Sequence, residues 1–582
     1  MNAYLLSDLV RINGANGLIL ETGTIPEKIS SLNLIAPRGG FSSFQIIVEN
    51  ADKDALSAKA ACSDASIQIE LFEEWFIETD DSLTPDCLVP LKEDGSLWAK
   101  QLLPKNIACI WADVFVPAEA KTGSNPVSVI LECVGKPKTL SVNLMVSETV
   151  LPETGLITCD LNNYADAISP QYPSMRENPD RYRDGSYIAL EHEYYKMARE
   201  HRSLFHNLPY RHSGKIKEGF APILSGEGKD MHVSDWSLFD KHFGPLLDGS
   251  AFEDSRVSKK PVEYMYLPFH LGWPASYEKW GKKGYRTEYR RVLNDFVRHI
   301  EEKGWMKTRF ELFLNHKKDY RFFPYTADEI WYEHDEEVMD RWYDVIKGAY
   351  EDTKASVIVR IDSSNYFGVH HNNHRFAEYC KLWVAGEGMF NWYPESVDAF
   401  RKYGNTLWIY GSVLHDMRTS LLSLYQWPIV CMMTGADGFC VWNTTGAGKD
   451  PLKTPVGNGT ELLFYPGEAF LIAKPLASIR LKTLRNAMQA AEAAKVMNKE
   501  DVHNFVNKLF DKNGDADWWR EKPDFIDTPP RYWDFGEAFS KAIVPPLFVG
   551  KSPFLAAEFR NGIYSGLKVN DNPSGYSGFR YY

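Results

Sequence analysis

The hydrophobic pattern of this chain changes at Leu151-Pro152, and that change limits the fold more than any other feature. Before it, FSSFQIIVEN (41–50), SIQIELFEEWFI (66–77), IACIWADVFVP (107–117), PVSVILECV (126–134) and TLSVNLMVSETVLP (139–152) are short, β-branched and partly alternating. Turns rich in Gly, Pro and Asn separate them. Strands in succession, with no helical period between them, predict an all-β sandwich over residues 1–155. After the change, helical stretches such as EHEYYKMAREHRSLF (191–205) and TEYRRVLNDFVRHIEEKG (287–304) alternate with apolar strands. The strands read as VEYMYLPF (262–269), TRFELFLNH (308–316), ASVIVRIDS (355–363), KLWVAG (381–386), TLWIYGS (406–412) and GADGFCVWN (435–443). This alternation predicts parallel βα units, and an α/β (β/α)8 TIM-type barrel over 156–500 is the commonest form at that size. A doubly wound sheet is the fallback, but its GxGxxG fingerprint is missing. PLASIRLKTLRNAMQAAEAAKVMNK (475–499) reads as a long closing helix, and the aromatic- and Pro-rich 501–582 as an extension packed on the barrel.

Composition narrows the function classes. With 44% hydrophobic and 25% charged residues, disordered and collagen-like chains are excluded. A net charge of −13 opposes bulk nucleic-acid binding. No apolar run reaches the roughly 18 residues of a membrane span. The 17 Trp make a carbohydrate site worth testing, because aromatic faces stack on sugar rings, although a large core absorbs most of them. Eight Cys show no CxxC or zinc spacing, and Cys431 with Cys440 is the only close pair. The opening MNAYLLSDLV has no basic n-region and meets Asp8 at once, so it does not read as a signal peptide. The expectation is a cytoplasmic protein, or a periplasmic or secreted one whose signal peptide has been removed.

In a parallel barrel, chemistry sits where the strands end. The predicted ends are polar and aromatic: Asn315-His316-Lys317, Asp362-Ser363-Ser364-Asn365, Glu387, Tyr410 and Trp442-Asn443. Taken singly, each is explained by a structural hydrogen bond; their shared location is the stronger signal. After TRFELFLNHK, the loop KDYRFFPYTADEIWYEHDEE (318–337) sets Asp328-Glu329 among aromatics. Desolvation raises a carboxyl's pKa and suits it to general acid work, while a helix N-terminal cap accounts for the same residues. Asp335-Glu336-Glu337 reads as a solvated helix face. HHNNH (370–374) spaces His370 and His374 as a metal pair but lacks the Glu of a zincin. DKNGDAD (511–517) departs from a calcium loop at Ala516 and Lys522. No metal or cofactor is expected.

Several stretches together resemble a known family. APRGGFSSFQIIVEN (36–50), IWADVFVPAEAKTGSNPVSVILE (110–132) and VLP (150–152) are similar to the N-terminal β-sandwich of the family 123 glycoside hydrolases and their relatives, the domain-of-unknown-function 4091 proteins. MMTGADGFCVWNTTGAGKDP (432–451) and NGTELLFYPG (458–467) resemble that family's penultimate strand and Tyr-Pro-Gly loop. PLASIRLKTLRNAM (475–488) resembles its closing helix at Ser478, Arg480 and Arg485. The resemblance spans about 35–490. It implies a barrel that hydrolyses a glycosidic bond, with an adjacent Asp-Glu pair acting by substrate assistance on an N-acetylhexosamine. There the acetamido oxygen attacks, the Asp orients it, and the Glu is general acid and base. The matching pair is Asp328-Glu329, with Ile330 where the family has Pro.

The resulting expectation is a glycosidase that removes terminal sugars from a complex glycan or polysaccharide. Glu329 and Asp328 are the catalytic candidates. Asn315, Lys317, Asp362, Glu387, Trp392, Tyr410, Trp442 and Asn443 are the substrate-binding candidates. Asp362 or Glu387 would supply a second carboxylate. Trp392, Trp408 and Trp442 would form a sugar platform, and Arg360 with Lys317 would meet an anionic substituent unless they form salt bridges at the core edge. The partner is a carbohydrate, with no nucleic acid or membrane, and oligomerisation is left open. The alternative is a non-catalytic glycan-binding protein on a degenerate barrel, which the missing Pro favours; a metal hydrolase built on the histidines ranks last.

Overall fold

The computed structural model describes residues 1–496 except 51, 80–81, 99–100, 102, 166, 212–213, 318–324, 331–332, 364–375, 387–400, 412–414, 426, 429–430, 432–434, 447, 449 and 454–459. Two sheets occupy the first 150 residues. One is antiparallel, in the order Asn2–Ser7, Gly40–Glu49, Ile107–Val116, Gln68–Thr79, Ser82–Pro90. The other runs Ser31–Arg38, Lys136–Val150, Gly123–Cys133, Leu56–Cys62, and its first pair is parallel. Gly123–Cys133 alternates buried and exposed positions along most of its length, as a strand with one wet face must. The two sheets share one apolar cluster that includes Leu5, Ile46, Ile110, Leu34, Val129 and Val142.

Eight parallel strands follow, nearly closing on themselves: Thr158–Tyr164, Leu204–Leu208, Tyr264–Tyr266, Arg309–Phe313, Val357–Ser363, Cys380–Gly386, Thr406–Tyr410 and Gly438–Trp442. The first pairs with the second and the eighth, and ladders run from the eighth down to the third. The second and third lie in contact without a hydrogen-bonded ladder. Helices Ser186–Glu200, Ser237–Asp248, Lys283–Lys303 and Glu333–Ile346 occupy the first four connections. The helical period predicted over 191–205 stops early. Arg202 turns left-handed at φ 55°, and Leu204-Phe205 enter the second strand.

After the last strand, helix Ile479–Val496 runs back against the antiparallel sheet. Arg480, Lys482, Arg485 and Gln489 are buried because each finds a partner there. Arg480 donates to both carboxyl oxygens of Asp86 at 2.9 and 2.7 Å. Lys482 and Arg485 converge on Asp113, and Gln489 exchanges hydrogen bonds with the backbone of Phe41. Burial opposes charge on Asp113, but the two cations win and hold its carboxyl well below the usual range. The family-like residues Arg480 and Arg485 therefore tie the barrel to the first sheets.

Candidate active site at the barrel mouth

The barrel interior beneath the C-terminal rim is charged. Arg360, on the fifth strand, is fully buried. Its Nε and Nη2 donate to Asp362 at 2.8 and 3.1 Å, and its Nη1 to Asp160 at 3.2 Å and Glu311 at 3.3 Å. His206 Nδ1 lies 3.0 Å from Asp160, and its ring stacks on Tyr266 at 3.7 Å. A guanidinium survives such burial only when its charge and N–H groups are met, and three carboxyl groups meet it here. Arg360 is thus a core cation, which decides for the salt-bridge alternative over an anionic substituent. Trp408 is also fully buried, edge-on to Tyr264 at 4.8 Å, so it forms no platform under a sugar.

Asp362 closes the top of this cluster. Burial pushes its carboxyl up to about 7 despite Arg360, and the charges of Asp328 and Glu311 add to the rise. Its carbonyl accepts from Ile330 N–H at 3.2 Å, which ties the loop after the fourth strand to the fifth. The same loop folds back onto its own strand, with Ala327 and Asp328 N–H both donating to the His316 carbonyl. Glu329 is held left-handed, at φ 53°. Such backbone is uncommon for a residue with a side chain, and it turns the carboxylate towards Lys317.

Lys317 holds the pair together. Its Nζ lies 2.7 Å from Glu329 Oε2 and 3.5 Å from Asp328 Oδ2. Burial works against this ammonium, yet the two carboxylates outweigh it and raise its pKa. Helix Glu333–Ile346 begins four residues after Glu329, so the pair does not cap it. Asp335 and Glu336 are buried rather than solvated, and Asp335 accepts from Thr326 N–H at 3.0 Å. Only Glu337 of that trio fits a solvated face.

The other predicted rim residues sit at or just after strand ends. Asn315 is buried, with its amide 3.4 Å from the Tyr164 hydroxyl. Tyr164 meets Trp442 edge-to-face at 5.0 Å, and the Trp442 carbonyl accepts from His415 at 2.9 Å. Tyr410 is half-buried at the end of the seventh strand. Asn443 follows the eighth strand at φ 59° and hydrogen-bonds the Glu461 carboxyl. Glu461 is a rim carboxylate that the sequence reading missed, although it sits inside the quoted NGTELLFYPG. Glu387, Trp392, His370, His374 and the 501–582 extension lie outside the described residues.

No protein-family model matches the chain, and no curated protein matches it. Among solved structures, it is similar to a family 123 glycoside hydrolase from Clostridium perfringens studied for glycolipid glycan hydrolysis. That likeness has 14% identity and a TM-score of 0.61, covering 88% of this chain and 91% of the other. A putative α-galactosidase from Bacteroides fragilis (10% identity, 80% and 78% covered, TM-score 0.26) and a β-glucuronidase mutant from Bacteroides uniformis (11%, 78% and 48%, TM-score 0.29) also align, too loosely to carry an argument. At this level of identity the first likeness speaks for architecture, and the chain shares the fold of a family 123 glycoside hydrolase.

Proposed function

We propose that the protein is a glycoside hydrolase: a β-sandwich (1–155) followed by a TIM-type barrel (156–500), removing terminal sugars from a complex glycan or polysaccharide. One observation carries the reading: an adjacent carboxylate pair, Asp328-Glu329, is held by Lys317 at the C-terminal mouth of a barrel with the family 123 fold. Glycoside cleavage needs a proton for the leaving oxygen and a group that stabilises or attacks the anomeric carbon. Glu329 is the proton donor, and Asp328 orients the attacking group, which is the substrate's own acetamido oxygen if the sugar is an N-acetylhexosamine. Lys317 lets two neighbouring carboxylates share the site. For Glu329 to carry a proton, the ammonium shifts its contact to Asp328, only 3.5 Å away. Tyr164 and Trp442 offer the aromatic wall.

The test is turnover on a panel of aryl glycosides and natural polysaccharides, followed by Glu329→Gln. The amide keeps shape and hydrogen bonding but has no proton to transfer, so kcat on an unactivated glycoside falls by roughly 10²–10⁴. The loss shrinks when the leaving group is an activated phenol. Wild-type turnover in Glu329→Gln would move the acid elsewhere. Glycan binding without any turnover would favour the non-catalytic alternative.

A further inference from the structure

We propose that Glu461 is a sugar-binding carboxyl, gripping hydroxyl groups of the terminal sugar from the side of the barrel mouth opposite Asp328-Glu329. The proposal rests on the glycan-acting reading above and deepens it.

Position comes first. In an eight-stranded barrel wound in sequence order, the fourth and eighth strands face each other across the axis. Asp328-Glu329 follow the fourth strand. Asn443, whose amide bonds Glu461, directly follows the eighth. A sugar entering between them would meet an acid on one side and Glu461 on the other.

The support beneath Glu461 is rigid. Arg480 donates to the carbonyls on both sides of it, Thr460 at 2.7 Å and Leu462 at 2.6 Å. Met417 N–H also donates to the Thr460 carbonyl, and the Thr460 hydroxyl bonds Asp416 at 2.8 Å. Leu463 N–H donates to Thr444, which fixes the segment to the loop after the eighth strand. Arg480 is itself clamped by Asp86. A site that must hold geometry is built on such locked backbone.

The chemistry fits a hydroxyl-rich ligand. A carboxyl has about four lone-pair sites and can accept from two adjacent hydroxyls, and the Asn443 amide uses one of them. Partial burial pushes Glu461 up to about 7, opposed by Asn443 and by Arg418 and Arg480, with the Asp416 charge adding to the rise. Near neutral pH it can therefore also donate.

The experiment crosses Glu461→Gln and Glu461→Ala with a series of mono-deoxy analogues of whichever aryl glycoside the wild type cleaves. Glu461→Ala is expected to lose roughly 10- to 100-fold in kcat/KM on the parent sugar, the scale of a hydrogen bond to a charged group. For one or two deoxy positions the wild type suffers a comparable loss and the variants lose little more. Glu461→Gln, which still accepts through its carbonyl oxygen, retains part of the activity. Equal losses on the parent and every deoxy sugar would make Glu461 structural and overturn the proposal, as would no loss at all. If the wild type binds glycans without cleaving them, hydrolysis fails as a reading. The same cross, read as affinity by calorimetry, then still decides on Glu461. If it neither cleaves nor binds any glycan, both readings fall.

Discussion

Glu74 offers the sharpest physical test of the fold, because the structure buries a carboxyl and gives it nothing. It lies in strand Gln68–Thr79, is 2% exposed, and neither of its oxygens has a hydrogen-bond partner among the described residues. Burial alone pushes it from 4.5 to about 8. A folded-state pKa above the unfolded one means the native state holds its proton longer. Stability is then full at low pH and is lost as pH rises between about 4.5 and 8. At 1.36 kcal/mol per pKa unit, the loss is about 1 kcal/mol at pH 5 and roughly 4–5 kcal/mol at pH 8.5. Glu74→Met keeps the length and removes both the titration and the unpaired oxygens. Urea denaturation of wild type and variant at those two pH values isolates the effect, since titrations common to both cancel in the difference. The variant's advantage should widen by roughly 4 kcal/mol at the higher pH, and by at least half that if water reaches the site. A gap that stays the same at both pH values would mean that Glu74 is solvated or paired, and the reasoning would fail.

Three further outcomes follow from the same contacts. Asp113→Asn strands Lys482 and Arg485 in the core and should cost about 3–5 kcal/mol, seen as a lower thermal midpoint. Because the Asp113 carboxyl is held well below its ordinary range, the wild type's advantage should disappear in acid, as pH falls below about 4. Asn443→Gly keeps the left-handed backbone without a steric penalty, so the thermal midpoint should change little while kcat/KM drops with the loss of the Glu461 contact. Several degrees lost with activity intact would make Asn443 structural. Lys317→Met should cost at least about 10-fold in kcat/KM on unactivated glycosides, because two carboxylates are left without their shared cation. Its side chain is 28% exposed, so the fold should survive, and wild-type kinetics would remove Lys317 from the site.

What the sequence revealed depended on whether a residue's partner lay nearby in the chain. Six barrel strands show as apolar runs, and each contains or overlaps the strand observed. The first two, Thr158–Tyr164 and Leu204–Leu208, escape the pattern because Asp160, Asn162, Asn163, His206 and Asn207 interrupt them. All five are buried. The barrel solves its interior with charge, and a strand that feeds a charged interior looks like a loop when read for hydrophobicity. The same blindness left Arg360 open between a ligand and a salt bridge, since two of the three carboxyl groups that meet it, Asp160 and Glu311, come from other strands.

The site divides along the same line. The proximity of Lys317 to Asp328-Glu329 was legible because one loop supplies all three, and twelve residues of chain bring the ammonium back to 2.7 Å from Glu329. Glu461 was not, although its motif was in view. Its meaning depends on Asn443 from the eighth strand, on Arg480 from the closing helix, and through Arg480 on Asp86 from a sheet nearly 400 residues away. Arg480 satisfies carbonyls on both sides of Glu461 while its guanidinium is neutralised by Asp86. The contact that anchors the barrel to the first sheets is therefore the one that fixes one wall of the mouth. Loosening Asp86 should then disturb the mouth before it unfolds the barrel. That coupling gives the closing helix a reason to carry a buried Arg480 where Leu would pack.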